Sequence, residues 1–152
     1  KFRQHLPEAA VRTAFIVGYP GETEEEFNEL KEFVKQMRFD RVGVFTYSHE
    51  EDTKAFKLAD DVPAEIKQER AAELMEIQQG ISLDMNVLKI GKQLKIVIDR
   101  TEGEYYIGRT EFDSAEVDNE VLIKCENKLK IGEFYTVKIT DADAFDLYGE
   151  LA

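Results

Sequence analysis

Residues 12–23, Arg12-Thr13-Ala14-Phe15-Ile16-Val17-Gly18-Tyr19-Pro20-Gly21-Glu22-Thr23, decide the fold. The first seven form a mostly apolar run ending in Gly. Such a run suits a strand buried on both faces, as in parallel sheets. Tyr19-Pro20-Gly21 then signals a turn. Glycines around Pro20 suit either a ligand lying across the strand end or a tight structural turn. Thr23 is placed to cap a helix, with Glu26 reaching back as its capping-box partner. Phe27, Leu30, Val34 and Met37 recur at helical spacing, which predicts a helix over residues 24–37. Glu24, Glu25 and Glu26 read as that helix's start, where the dipole favours carboxylates. A second apolar run, Arg41-Val42-Gly43-Val44-Phe45-Thr46-Tyr47, completes strand–helix–strand. This is a βαβ unit with a right-handed crossover. Two parallel strands make no stable sheet alone, so either an antiparallel module completes it or this half is cut from a larger sheet.

Residues 48–62 form a polar excursion long enough for a functional loop. Pro63 is expected to open a helix at its first position, with Asp61 near the cap. Ile66, Leu74, Ile77, Ile81 and Leu88 mark one face of that helix, and Gly80 is its weak point. After Lys89-Ile90-Gly91-Lys92 the pattern changes to short alternating strands at residues 94–98, 105–109, 121–125, 134–139 and 146–151. Strands without intervening helices predict a small barrel or sandwich. The expected fold class is α/β followed by all-β, with domains at residues 1–88 and 89–152.

The sequence carries 32 acidic and 20 basic residues, a net charge of −12. Residues 1–88 contribute −7 and residues 89–152 contribute −5, so both halves are acidic. Nucleic-acid binders usually show a basic footprint. An acidic surface favours a basic partner and speeds the encounter. No apolar run approaches the roughly 18–20 residues of a membrane helix. No signal peptide is visible, and a cytoplasmic protein is expected. The chain does not begin with Met, so its true start is expected to lie elsewhere or to have been removed. Cys125 is the only cysteine, which excludes an intrachain disulfide. It is expected to be a small buried strand residue. The histidines, His5 and His49, are far apart, and His49 is expected to be a solvated loop residue.

Residues 12–23 resemble the fifth-strand segment of radical-SAM methylthiotransferases. Tyr47-Ser48-His49-Glu50-Glu51-Asp52-Thr53-Lys54-Ala55 resembles the loop after their sixth strand, except that Gly is usual where Asp52 stands. The C-terminal half is similar to a TRAM domain. Its stretch Gly108-Arg109-Thr110-Glu111-Phe112-Asp113-Ser114-Ala115-Glu116-Val117-Asp118-Asn119 resembles the branch that modifies a ribosomal protein. The resemblance implies the C-terminal part of an open (βα) radical-SAM barrel followed by a five-stranded antiparallel, OB-like barrel. It implies an enzyme that methylthiolates the β-carbon of one aspartate in a small-subunit ribosomal protein, the one numbered twelve.

The family uses S-adenosylmethionine and two [4Fe-4S] clusters. Thiolates hold such clusters. The family's Cys-x₃-Cys-x₂-Cys motif and its three further cysteines are not in this chain. The cluster ligands are therefore missing, and the chain alone is expected to be inactive. By resemblance, Arg12, Ile16, Val17 and Gly18 lie near the nucleoside of S-adenosylmethionine, and Phe45 and Tyr47 near its adenine. In the TRAM module, Arg109, Phe112, Asp113, Glu116, Asp118 and Asn119 are expected to face the substrate.

One rival is the branch that modifies a tRNA adenosine, whose TRAM module binds RNA through cationic and aromatic surface. Another is a non-catalytic macromolecule-binding module. Asp141, Asp143, Asp146 and Glu150 make a basic ribosomal protein the better fit than RNA. An open sheet edge is also expected to pair with a second copy.

Overall fold

The computed structural model describes residues 5–6, 9–115 and 117–152. Two compact units are present, Val11–Ile81 and Ser82–Ala152.

In the first unit, β1 (Arg12–Val17), α1 (Glu24–Met37) and β2 (Arg41–Thr46) form the expected strand–helix–strand. The strands pair in parallel, with Ile16 opposite Phe45. α1 starts with a reciprocal cap. Thr23 Oγ1 accepts the Glu26 N–H at 3.2 Å, and Glu26 Oε2 accepts the Thr23 N–H at 2.8 Å. Those bonds hold the Glu26 carboxyl below its usual range. The unit's buried side chains include Val17, Phe27, Val34, Phe39 and Leu74. Phe15, Phe33 and Phe39 add a ring cluster with centroids 5.8–6.5 Å apart.

Both faces of β1 were expected to be buried, and only one is. Val17 is buried and Phe15 half-buried on the face that meets Phe33 and Phe39. On the other face Ile16 is 60 % exposed and its neighbour Phe45 61 %. Successive side chains alternate across a strand, and this one helical layer covers one side.

Residues 48–62 contain a short 3₁₀ turn, Ala55–Lys57. α2 (Ala64–Val87) then runs 24 residues, straight through Gly80. Pro63 lies just outside the helix, and its carbonyl accepts the Lys67 N–H at 3.1 Å. Asp61 does not cap α2. Its carboxylate accepts the Gly21 N–H at 2.7 Å and so joins the two loops.

In the second unit, β3 (Gln93–Glu102), β4 (Tyr105–Thr110), β5 (Val121–Ile123), β6 (Phe134–Ala142) and β7 (Leu147–Leu151) close into a barrel in the order β3-β4-β5-β7-β6. The expected all-antiparallel arrangement is corrected at one seam, because β5 and β7 run parallel. The reason is parity. A closed ring with an odd number of strands cannot alternate direction at every seam.

β3 closes the ring by pairing β6 through Gln93–Val97 and β4 through Ile96–Glu102, with a register shift between Ile98 and Arg100. Such a bulge supplies the bend that closure needs. Ile96, Ile98, Val121, Ile123, Val137, Ile139 and Leu147 fill the interior from alternate positions. Gly108 lets β3 and β4 approach, since a Cβ there would sit 2.4 Å from the Val97 carbonyl oxygen.

Cys125 lies beyond the end of β5 and is half-buried, not a buried strand residue. Its thiol donates to the Asn127 carbonyl at 3.2 Å. Strand β5 stops at Ile123, where its partner β7 reaches Gly149. Within this unit the last turns of α2 hold the β6–β7 hairpin. Ser82 Oγ donates to the Ala144 carbonyl at 2.7 Å, and Asn86 Nδ2 to the Asp143 carbonyl at 2.9 Å. Among the described residues no helix is long and apolar enough to cross a membrane.

Candidate functional site

Two groups of the sequence-predicted residues can be located, one in each unit. The first sits on β1, β2 and the turns that follow them. Ile16 and Phe45 lie side by side in register on the uncovered sheet face, and Arg12 lies on the same face two pleats away. Val17 points to the opposite side and is fully buried in the core. Gly18 follows at φ +73°, and a Cβ there would meet the Lys67 side chain at 2.3 Å. Only glycine combines that dihedral with so close a neighbour. Tyr47 continues the pairing of the strands, its N–H donating to the Val17 carbonyl at 2.9 Å. Its phenol is pushed up from the usual tyrosine value, by burial first and the Asp60 charge second. The structure thus brings Arg12, Ile16 and Phe45 onto one face and puts Gly18 and Tyr47 at the strand ends.

Helix α2 supplies what the sequence reading missed. Lys67 and Arg70 are almost fully buried cations, one helical turn apart. Lys67 Nζ donates to both carboxylate oxygens of Asp60, at 2.6 and 2.8 Å, and lies 5.0 Å above the Tyr47 ring. Arg70 donates to Glu22 Oε1 at 2.7 Å and to the Glu22 carbonyl at 3.1 Å. The same Glu22 oxygen accepts the Gly18 N–H at 3.0 Å. One carboxylate therefore ties the turn after β1 to the helix, while Asp60 ties the loop after β2. Buried cations persist only when paired in this way. Asp52, where the resembling segments usually have Gly, adopts φ +65°. The loop keeps a glycine-like backbone despite the substitution, and Asp tolerates that region better than most residues.

The second group lies in the loop of residues 110–120. Phe112 is 43 % exposed and Val117, which the sequence reading passed over, 74 %. Two carboxylates frame the loop. Buried Asp113 accepts the Thr110 hydroxyl at 2.5 Å, and Asp118 accepts the Ser114 N–H at 2.6 Å. Arg109 donates from Nε to Asp99 on the neighbouring strand, at 3.0 Å. The Asn119 amide nitrogen is buried without a hydrogen-bond partner. Glu116 lies outside the described residues. The loop thus exposes two apolar side chains, Phe112 and Val117, and is braced by the Asp113 and Asp118 carboxylates.

The acidic hairpin divides similarly. Asp143 accepts bonds from the Phe145 and Asp146 amides and from the Tyr148 hydroxyl. Burial raises its carboxyl, but these bonds win, and the net shift is downward. Asp146 accepts the Glu120 N–H, yet burial first and the Asp143 charge next push its carboxyl up. Asp141 and Glu150 remain exposed to solvent. Two of the four hairpin acids are thus structural.

Among the described residues no group of three or more His, Cys, Asp or Glu side chains could hold a metal ion. With Cys125 as the sole thiol, the residues of this chain do not fit an iron–sulfur cluster.

Comparison with known proteins adds the lineage. Residues 90–152 match the family model for the TRAM domain. The ribosomal protein uS12 methylthiotransferase RimO of Christiangramia forsetii is 62 % identical over 151 residues, which is 99 % of this chain and 34 % of that protein. The protein of the same name from Bacteroides fragilis is 58 % identical over 153 residues, 99 % of this chain and 35 % of its own length. That from Cytophaga hutchinsonii is 53 % identical over 150 residues, 98 % of this chain and 34 % of its own length. The chain spans about a third of the length of these curated relatives. Over that span the chain is similar to the RimO methylthiotransferases, and its residues 90–152 are similar to the TRAM domain.

Proposed function

We propose that the chain serves a radical-SAM methylthiotransferase acting on an aspartate of ribosomal protein uS12. Residues 1–88 contribute to the catalytic barrel, and residues 89–152 dock the protein substrate. The observation that carries this reading is 62 % identity over nearly the whole chain to a protein of that name. A cytoplasmic location goes with it.

The uncovered face of β1 and β2 has the chemistry of a nucleoside site. Ile16 and Phe45 offer adjacent apolar surface, and the Gly18 turn, packed against Lys67, fixes the strand end beside them. Arg12, Ile16 and Gly18 would hold the nucleoside of S-adenosylmethionine, with Phe45 and Tyr47 at the adenine and Val17 supporting from the core. Bound there, that cofactor would supply an activated sulfonium. The chain's own part is to orient the nucleoside and keep water from it. The clusters of the family do not fit these residues.

In the barrel, Phe112 and Val117 supply an apolar contact, with Arg109 at its border, and Glu116 is kept as a substrate contact on resemblance alone. Asp113, Asp118 and Asn119 act from the frame beneath. The net charge of −5 over residues 89–152 favours a basic protein and repels phosphate.

The test is a titration of the chain with purified uS12 and with tRNA, at low and at moderate salt. Binding to uS12 that weakens with salt and exceeds binding to tRNA is the expected result. Preferential binding to tRNA would sink the docking reading in favour of the tRNA-modifying branch.

A further inference from the structure

The loops after β1 and β2 carry a band of aromatic rings, of which the nucleoside reading uses only Tyr47. Tyr19 and Tyr47 lie 5.4 Å apart, Tyr47 and His49 6.1 Å, and His49 and Phe56 4.7 Å, measured between ring centroids. The Tyr47 hydroxyl meets His49 Nδ1 at 3.2 Å, which fixes the middle of the row. The ends stay open to solvent, with Tyr19 44 % and Phe56 41 % exposed. Solvent-facing rings in contiguous contact mark a recognition surface more often than a packing accident.

The surroundings select the occupant. Residues 48–61 hold five carboxylates, Glu50, Glu51, Asp52, Asp60 and Asp61, against Lys54 and Lys57, and with Asp60 paired to Lys67 the balance is still negative. Negative charge beside aromatic faces suits a cation and disfavours a phosphate. The chain already uses the band in this way, since Lys67 Nζ sits 5.0 Å over the Tyr47 ring. That internal cation fills the middle of the row. Tyr19, His49 and Phe56 remain for an external one.

We infer that Tyr19, His49 and Phe56 form a second contact surface for the protein partner and receive an arginine- or lysine-rich segment of it. The inference rests on the reading that the partner is a basic protein, and it gives residues 11–81 a share in recognising it. Guanidinium groups stack on such rings while the carboxylates around them supply long-range attraction.

The experiment follows the side-chain NMR signals of Tyr19, His49 and Phe56 in the full 152-residue chain. Probes are a synthetic arginine–glycine peptide, a single-stranded RNA oligomer and intact uS12. Saturable shifts with the peptide and with uS12 are expected. The double variant Tyr19→Ala/Phe56→Ala should then bind the peptide roughly fivefold to thirtyfold more weakly, as two exposed cation–π contacts imply. The Gly18 and Gly21 amide signals check that the loops have kept their shape in that variant. Shifts with uS12 confined to residues 110–120 would overturn the inference and leave the docking reading standing. No binding of uS12 at all would remove both. RNA shifting the rings at lower concentration than the peptide would also overturn it.

Discussion

The two units solve the problem of a small core in opposite ways. The barrel closes on itself, pairs every strand on both sides, and fills its interior with a cluster of buried apolar residues. The strand–helix–strand unit leaves one sheet face bare and pins its loops with buried ion pairs from α2. A closed barrel has no edge to protect. The two-stranded sheet has free edges, and the pairing of one edge with a second copy follows as an expectation, checked by light scattering across concentration. The lesson is that stability and binding are divided differently in the two units. In the barrel the interior holds the fold, and a loop is proposed to make the contacts. In the first unit the sheet face itself is free to bind.

The sharpest way to break this comparison is to truncate one large apolar side chain in each unit. Ile98→Ala empties part of the barrel core and should cost about 2–5 kcal/mol in urea unfolding. Phe45→Ser, on the bare face, should stay within about 0.5 kcal/mol. Comparable losses from both would mean that the face is not bare in solution.

Next comes the brace. Arg70→Met keeps the bulk but leaves Glu22 without its cation. A fully buried pair would lose about 3–5 kcal/mol, and partial exposure of the carboxylates lowers the expectation to about 2 kcal/mol. Hydrogen exchange at the Gly18 amide should accelerate in this variant while the barrel amides keep their protection. Equal acceleration in both units would contradict the division drawn above.

A smaller effect sits in the loop after β2. Asp52→Gly removes the strain of a left-handed Asp but gives the unfolded chain more freedom. The net gain should be about 0.5 kcal/mol, visible as a rise in the melting temperature. A loss would mean that the Asp52 side chain makes a contact worth more than the strain.

The smallest is a pH effect in the barrel. The Asp146 carboxyl is raised, so its favourable contribution is present when protonated and is lost as pH rises through its shifted value. Asp143 is shifted the other way and loses its contribution as pH falls. Asp146→Asn keeps an acceptor for the Glu120 amide and removes the repulsion. It should stabilise the barrel at neutral pH, with the advantage vanishing as the solution is acidified through the carboxylate range. An advantage independent of pH would point to packing instead.

Local pattern carried most of the fold. The Thr23–Glu26 cap, the helical spacing of Phe27 and Val34, and the alternation around Ile96 and Val137 all reside within a few neighbouring residues. What escaped was long-range. Arg70 and Glu22 are 48 positions apart, and Asp61 and Gly21 are 40 apart, so no window contains either pair. A run such as residues 12–18 also reads the same whether one face or two are covered. An odd strand count requires a parallel seam once closure is assumed, but parity does not say which, and the β5–β7 pairing came only from the structure. For the candidate site, resemblance supplied Ile16, Phe45 and Phe112. Val117 escaped because the hydropathy of a loop residue does not reveal whether it points outward.

The most direct test of the central division is a hydrogen-exchange footprint of the chain with each ligand in turn. S-adenosylhomocysteine, a stable analogue of the cofactor, should protect amides around Ile16, Gly18 and Phe45 and leave residues 110–120 unchanged. Ribosomal protein uS12 should protect residues 110–120. Protection of that loop by tRNA and not by uS12 would contradict the account.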